Sequence, residues 1–422
     1  MKIYLIGIKG SGMSGLADIL LDDGYEVRGS DTENYIHTET HLRLRNVIID
    51  PPESKEYLSA DIVIVGHSFY TRERIEELDR RRKVYFEYNE FLGLYLDEEK
   101  LVSVCGSHGK TTLVKLLATA FPDCSYLIGD GRGQKKNDDA FFFLESCEYK
   151  RHFLKYFPAE IILTNIDYDH IDYFKDEADY RAAFREFARQ GKKIYCSFSC
   201  RTWIDHPNKI TYGLDKEADY HLDYFPEKEQ YHLHFYRKGR LLHEFDFRKS
   251  PDRFLESLAA VLAFYAEHNF DLRPITDRLN GFVMPYQRFN AEPYHGQVFI
   301  SDYGHHPSQI AYNLEQCCFF YPERKKVAIF RPDRTSRLIY FKDRFIEVLN
   351  RFDLAFVLPL SPTEEIGNHG SFELEGKKVV ALNQIVEIRS YLDPTERYVF
   401  SFMSSKDQSE EIRKLKQLIS VW

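Results

Sequence analysis

The chain is poor in paired cysteines. It has seven, none in a C-x-x-C pair, and the closest are Cys196/Cys200 and the adjacent Cys317/Cys318. That pattern reads as reduced cytoplasmic thiols rather than a disulfide frame or a zinc site. There is no run of 18 apolar residues, so no membrane span is expected. The first eight residues enter a strand-like run directly. They lack the charged start, apolar stretch and cleavage site of a secretory leader, so a cytoplasmic protein is expected. Basic charge is not in excess: 57 Lys and Arg stand against 66 Asp and Glu, a formal net charge of -9. General nucleic-acid binding is thereby disfavoured. Long repeats and low-complexity stretches are also missing. What remains is an ordinary globular composition, 43% hydrophobic and 29% charged, in 422 residues. That length is too great for one core and implies roughly two to four domains.

The strongest positive signal is the run Cys105-Gly106-Ser107-His108-Gly109-Lys110-Thr111-Thr112 after the apolar Leu101-Val102-Ser103-Val104. An apolar strand, a Gly/Lys/Thr turn and a helix make a phosphate cradle. Glycines admit backbone N–H groups to the phosphate oxygens, the helix start adds positive dipole, the lysine adds charge, and the first threonine can ligate Mg²⁺. The usual G-x-x-x-x-G-K-[ST] spacing would need glycine at Val104, whereas this loop is the shorter G-x-x-G-K-T-T. It is either a specialised phosphate loop or a chance turn.

Three segments follow one another. In residues 1–98, a buried strand at residues 2–7 runs into the glycines Gly7, Gly10 and Gly12, followed by a helical pattern at 13–21, a strand at 25–30 ending at Asp31, and another strand at 61–65. This is a Rossmann-like βαβ unit. Its glycine spacing, G-x-x-G-x-G, departs from the NAD(P) fingerprint. The turn either meets a diphosphate, with Asp31 on a ribose or base, or is a plain tight turn.

Residues 99–286 form the second segment, a P-loop ATPase-like α/β domain. Strand runs at 141–144 and 161–164 end at Glu145 and Asn165, where parallel sheets bind ligands. Lys110, Thr111, Glu145 and His170 are expected to converge on a metal–phosphate site, although hard Mg²⁺ prefers oxygen donors. Alternation between 212 and 247 implies added antiparallel hairpins. Its histidines, His221, His232, His234 and His243, read as a solvated strand face rather than a metal site. A helix follows at 251–264.

Residues 287–422, the third segment, alternate strands and helices again, with strands at 297–301, 326–330, 354–359, 378–382 and 398–402. Two clusters sit at strand ends: Ser301-Asp302-Tyr303-Gly304-His305-His306-Pro307, and Phe330-Arg331-Pro332-Asp333-Arg334-Thr335-Ser336-Arg337. Three arginines in seven residues read as an anion clamp for carboxylate or phosphate, or as plain surface charge. The charged tail, 405–417, reads as a helix.

Taken together, these motifs resemble the Mur ligases over nearly the whole chain, nearest to the alanine-adding branch of low-GC Gram-positive bacteria. The matching stretches are residues 7–14, 29–31, 106–112, 145–153, 164–170, 287–289 and 302–307, in the family's order. The short phosphate loop is the form that this family uses.

The resemblance implies a three-domain ATP-dependent ligase. Residues 1–98 would bind the UDP part of UDP-N-acetylmuramate through Gly10, Ser11, Gly12, Met13, Ser14 and Asp31. Residues 99–286 would bind ATP and Mg²⁺ through Gly106, Ser107, His108, Gly109, Lys110, Thr111, Thr112 and Asn165, with Arg288 and Asp302 added from the third domain. Thr111 and Glu145 would hold one metal and His170 would help hold a second. Residues 287–422 would bind L-alanine, with Tyr303 and His305 lining its pocket, Arg334 beside them and Arg337 on its carboxylate. His305 is a candidate base for the amine. The resemblance leaves open whether the chain is a monomer or a dimer.

The chain also departs from the family. Glu256 stands where asparagine helps place adenine, Pro332-Asp333 replaces a Pro-His motif, and Ser401-Phe402-Met403-Ser404-Ser405 replaces a Gly-Ala-Gly-Asp loop. Two alternatives follow: a ligase with another acceptor (glycine, serine or a recycled peptide), or a non-catalytic paralogue that binds UDP-sugar.

Overall fold

Apolar runs make the central strands of three sheets, and runs buried on both faces are what parallel α/β sheets require. In the first sheet the strands are β1 (Lys2–Ile6), β2 (Glu26–Ser30), β3 (Ile48–Asp50), β4 (Ile62–Val65) and β5 (Val84–Glu87), all parallel in the order β3-β2-β1-β4-β5. The order reverses direction beside β1, so the crevice of a doubly wound sheet opens at the glycine turn after it. The helix Ser11–Asp22 follows that turn. This computed structural model describes residues 1–360 and 378–420.

The second sheet has ten strands: β6 (Leu101–Cys105), β7 (Ser125–Leu127), β8 (Gly133–Gln134), β9 (Phe142–Glu145), β10 (Glu160–Leu163), β11 (Lys193–Ser197), β12 (Lys209–Gly213), β13 (Tyr220–Pro226), β14 (Gln230–Arg237) and β15 (Arg240–Arg248). Their order is β15-β14-β13-β12-β11-β10-β6-β9-β7-β8. β6 is flanked by β10 and β9, both parallel to it, and the phosphate-loop turn leaves its carboxyl end. The expected hairpins are present as antiparallel β13, β14 and β15. The helix Asp252–Glu267 runs one turn beyond the apolar stripe read from sequence.

The third sheet contains β16 (Asn290–Tyr294), β17 (Gln297–Asp302), β18 (Lys325–Phe330), β19 (Leu354–Val357), β20 (Val379–Ala381) and β21 (Tyr398–Met403) in the order β16-β17-β21-β18-β19-β20. Among the described residues, only β16 is antiparallel to its neighbour. Phe299, Val327, Ile329, Phe356, Phe400 and Phe402 form its core. The tail helix is Ser409–Ile419, starting four residues later than the charge pattern implied.

The chain divides into two compact bodies. One comprises Met1–Asp167 and Glu177–Val283, and therefore the first two sheets; the other comprises Tyr168–Asp176 and Met284–Trp422. Within the first body, the helix Ser11–Asp22 lies close against β8: a Cβ on Gly133 would fall 2.1 Å from the Gly15 carbonyl. Ser14 Oγ donates to the Gly131 carbonyl at 2.9 Å, and Gly133 N donates to Asp18 Oδ2 at 3.2 Å. The fold is α/β with three sheet regions, as the alternation of strands and helices implies.

Candidate active site

The phosphate-loop turn is shaped by two glycines with different burdens. Gly106 has φ +134°, and a Cβ there would fall 2.1 Å from Thr164 Oγ1 and 2.9 Å from the Asn165 carbonyl oxygen. Gly109, at φ +83°, precedes the helix Lys110–Ala120 in the left-handed region with open space around it. The rest of the loop is bound to the end of β10. Ser107 N donates to the Asn165 carbonyl at 3.0 Å, and His108 N donates to Asn165 Oδ1 at 3.0 Å. Thr164 Oγ1 and Asn165 Nδ2 both donate to the His108 carbonyl, at 2.7 and 2.9 Å. Ser107 Oγ accepts from Asp167 N at 2.8 Å, and His108 Nε2 lies 3.1 Å from Asp167 Oδ2. Asn165 is thus a loop-shaping residue, and the N-cap of the following helix is Gly109, which has no side chain to cap it.

Lys110 folds back over its own loop. Its Nζ donates to the Gly106 carbonyl and to Glu148 Oε2 at 2.8 Å. Glu148 is 1% exposed. Burial works against the lysine charge, but Glu148 and its neighbours outweigh it and hold the ammonium more firmly charged than usual. Thr111 Oγ1 donates to Glu145 Oε1 at 3.0 Å, and Glu145 Oε2 accepts from Gly129 N at 2.6 Å. Hydroxyl and carboxylate oxygens therefore lie side by side at the helix start, a donor set that suits Mg²⁺. Thr112 is half-buried one residue on. Lys110, Thr111 and Glu145 gather in the first body; His170, at φ +54°, is carried by the second.

At the first sheet, Gly10, Ser11 and Gly12 form the start of the helix Ser11–Asp22, which has no side-chain cap. Met13, Ser14 and Asp31 are buried. Ser14 serves the contact with Gly131 described above. Asp31 accepts from Lys9 N and Thr32 N, both at 2.7 Å, and so pins the glycine turn to the end of β2. The charged side chain of Lys9 is buried as well, donating to the Thr32 and Asn34 carbonyls and paired with Glu39 at 2.6 Å.

In the second body, β17, β21 and β18 are adjacent, and their carboxyl ends place residues 303–306, 404–408 and 331–334 together. Asp302 accepts from Phe289 N at 2.8 Å and Gly304 N at 2.9 Å, and burial pushes its carboxyl up. The Arg288 guanidinium lies 4.4 Å above the Tyr303 ring. His305 Nδ1 lies 2.8 Å from the Tyr303 carbonyl. A carbonyl only accepts, so Nδ1 carries the proton and Nε2 keeps its lone pair. Burial and Arg337 push this imidazole down to about 4, so it is neutral at physiological pH.

The arginine cluster is the largest surprise. All three arginines already hold protein carboxylates. Arg331 pairs with Glu411 at 2.7 Å and Arg334 with Asp172 at 2.8 Å. Arg337, 4% exposed, donates from Nε and Nη2 to Asp169 at 3.0 and 3.3 Å, and from Nη1 to both oxygens of Asp333 at 2.8 and 3.0 Å. Ser405 Oγ donates to Asp333 as well, at 2.9 Å. Burial opposes ionisation of Asp169, but Arg337 outweighs it and holds this carboxyl well below the usual range. The clamp read from the sequence is therefore filled from within. Glu148, Asp169 and Asp333 were not among the site residues expected. Their signal was present: each is an acid inside a motif that also carries a cation or metal ligand.

The hairpin histidines do not form one solvated face. His221 is buried with its ring stacked 4.6 Å from Tyr236, while His232 pairs with Asp246 at 2.8 Å.

Residues 2–100 match the family model described as Mur ligase family, catalytic domain. Among solved structures, the chain is similar to UDP-N-acetylmuramate-alanine ligase MurC from Thermotoga maritima, at 22% identity, with 100% of each chain covered and a TM-score of 0.79. It is similar to a murein peptide ligase from Psychrobacter arcticus at 19% identity, with 99% of this chain and 98% of that one covered and a TM-score of 0.69. MurF from Thermotoga maritima, solved in complex with ADP, is similar at 16% identity, with 93% and 94% covered and a TM-score of 0.61. At these identities the likeness establishes the fold: it is the three-domain Mur ligase fold.

Proposed function

We propose that the protein is an ATP-dependent amide ligase of the Mur type, which joins an amine acceptor to the lactoyl carboxylate of UDP-N-acetylmuramate in the cytoplasm. The observation that carries this reading is the cradle at the end of β6: Gly106 and Gly109 in backbone conformations that favour glycine, a helix start with glycine at its N-cap, and Lys110 beside Thr111 and Glu145. The family match over residues 2–100 and the fold shared with UDP-N-acetylmuramate-alanine ligase support it.

A carboxylate is a poor acyl donor, so its oxygen must first become part of a leaving group. The lactoyl carboxylate attacks the γ-phosphorus of ATP and ADP departs, leaving an acyl phosphate. The acceptor nitrogen then attacks the carbonyl carbon, loses a proton, and phosphate leaves. The backbone N–H groups of residues 106–112 and Lys110 orient the β/γ-phosphates and offset their charge. Lys110 must leave Glu148 or be shared with it as the phosphates enter. Thr111 and Glu145 would hold Mg²⁺, which supplies charge neutralisation on the phosphoryl oxygens when bound, and His170 is the proposed ligand of a second ion. Gly10, Ser11, Gly12 and Met13 would face the UDP diphosphate, with Ser14 and Asp31 shaping that turn from behind. In the C-terminal segment, Tyr303, His305, Arg334 and Arg337 would surround the acceptor, and His305 Nε2 has the lone pair to take the amine proton. Arg288 and Asp302 would border the nucleotide. The resemblance makes L-alanine the expected acceptor; the carboxylates already on Arg337 favour a second reading, in which the acceptor differs.

The test is phosphate release with ATP, Mg²⁺ and UDP-N-acetylmuramate, comparing L-alanine, glycine, L-serine and a tripeptide. UDP-sugar-dependent release with at least one amine is expected. Binding of UDP-sugar without turnover by any acceptor would leave only the non-catalytic paralogue. Lys110→Gln should lower phosphate release by about 100-fold or more, with UDP-sugar affinity nearly unchanged by calorimetry.

A further inference from the structure

The cluster around Arg337 determines what the acceptor can carry. Its guanidinium has three nitrogens, and all three are bonded to Asp169 or Asp333. Both acids are at least nine-tenths buried, at 4% and 6% exposed. Among these three side chains, one cation stands between two carboxylates, so no guanidinium nitrogen is left for a third. The neighbouring arginines give no surplus, because Arg334 is paired with Asp172 and Arg331 with Glu411. His305 adds no charge at neutral pH.

An acceptor carboxylate that sought Arg337 would have to displace Asp333 or Asp169. The displaced group would stay buried with an unpaired charge, which is strongly unfavourable. If neither moved, the newcomer would find every guanidinium nitrogen already engaged and the Asp333 and Asp169 carboxylates beside it. A neutral substituent meets no such opposition, and the amine itself, protonated before reaction, is drawn to the cluster.

Resting on the ligase reading above, we propose that Asp333 is a specificity-determining residue that keeps Arg337 from an acceptor carboxylate, so that this enzyme favours amines whose neighbouring group is uncharged. The ligand class is a primary amine beside an amide or other neutral polar group. Asp333 acts here through Arg337 and need not touch the substrate.

The test compares kcat/KM for L-alaninamide and L-alanine in the full-length protein, with ATP, Mg²⁺ and UDP-N-acetylmuramate saturating. The amide's amine is the less basic of the two, so the decisive quantity is how their ratio changes in variants. The wild type should prefer the amide by roughly tenfold or more. Asp333→Asn keeps the shape, removes one charge, and should lower that ratio at least about fivefold, chiefly through a lower KM for L-alanine. Asp333→Glu, which restores the carboxylate, should keep the wild-type preference. These sizes correspond to about 1–1.4 kcal/mol, within what one partly shielded charge contributes. An unchanged ratio in Asp333→Asn would overturn the proposal and leave the ligase reading intact. So would a wild-type preference for L-alanine that disappears in Lys406→Ala, since Lys406 is exposed on the neighbouring loop. Absence of turnover with either amine, despite UDP-sugar binding, would instead remove the ligase reading and this proposal with it.

Discussion

Gly106 and Gly109 occupy one short turn for different reasons. At Gly106 the positive φ coincides with a close approach, while at Gly109 only the φ is at issue. Gly106→Ala must therefore move Thr164 and Asn165 as well as strain the backbone, a cost of about 3 kcal/mol or more. Gly109→Ala meets only the left-handed penalty, about 1–2 kcal/mol. Thermal melting should separate them, with the larger fall for Gly106→Ala. The loop's glycine, lysine and threonine pattern was legible without a structure because each residue does local work. The Glu148 partner of Lys110 was not: two residues 38 apart meet only because β6 and β9 are paired in register.

The element scale is where the arginine cluster belongs. The helix Thr335–Tyr340 starts just past the end of β18, and Arg337 on it reaches back to Asp333 and across to Asp169. Tyr340 meets Tyr168 edge-on at 5.6 Å, and Arg334 holds Asp172. This helix thus holds Tyr168–Asp176, the segment that carries His170, within the second body. Removing Arg337 leaves two buried carboxylates without their cation, and Arg337→Ala should cost about 3–5 kcal/mol at neutral pH. The sign with pH follows from Asp169. Its carboxyl is depressed in the folded protein, so its contribution is present above the ordinary value of 3.8 and is lost as pH falls through the lowered one. In the variant that carboxyl titrates higher. The stability gap between wild type and Arg337→Ala should therefore narrow as pH falls below about 4, as read by thermal midpoints across a pH series. An equal gap at pH 7 and pH 3 would contradict this account of Asp169.

For the molecule as a whole, acid sensitivity divides into two windows. His152 is pushed down to about 4, by burial first and then by His67, whose ring lies 5.0 Å away. His305 is pushed equally low by burial and Arg337. Unfolded histidines bind protons near 6.5, so the unfolded state takes up more protons between 6.5 and about 4. Stability should fall through that range as pH drops, before the carboxylates begin to protonate. His152→Gln should make this first decline shallower, the share of His305 remaining, without altering the second, as measured by thermal midpoints across a pH series from 7 downward.

The chain's own order of residues determined much of this. Apolar runs ending at a polar residue, Glu145 or Asn165, marked the strands on both sides of β6, because strands buried on both faces need continuous hydrophobicity. The loop's chemistry was equally local. Tertiary structure alone decided which charges were spoken for. Asp31, read as a ligand contact, turns inward to hold Lys9 N. Ser14, read likewise, binds the Gly131 carbonyl. Arg331, Arg334 and Arg337, read as an anion clamp, are filled by Glu411, Asp172, Asp169 and Asp333. An ion pair depends on distance in space. Asp169 and Arg337, 168 positions apart, acquire that distance only once the chain has folded.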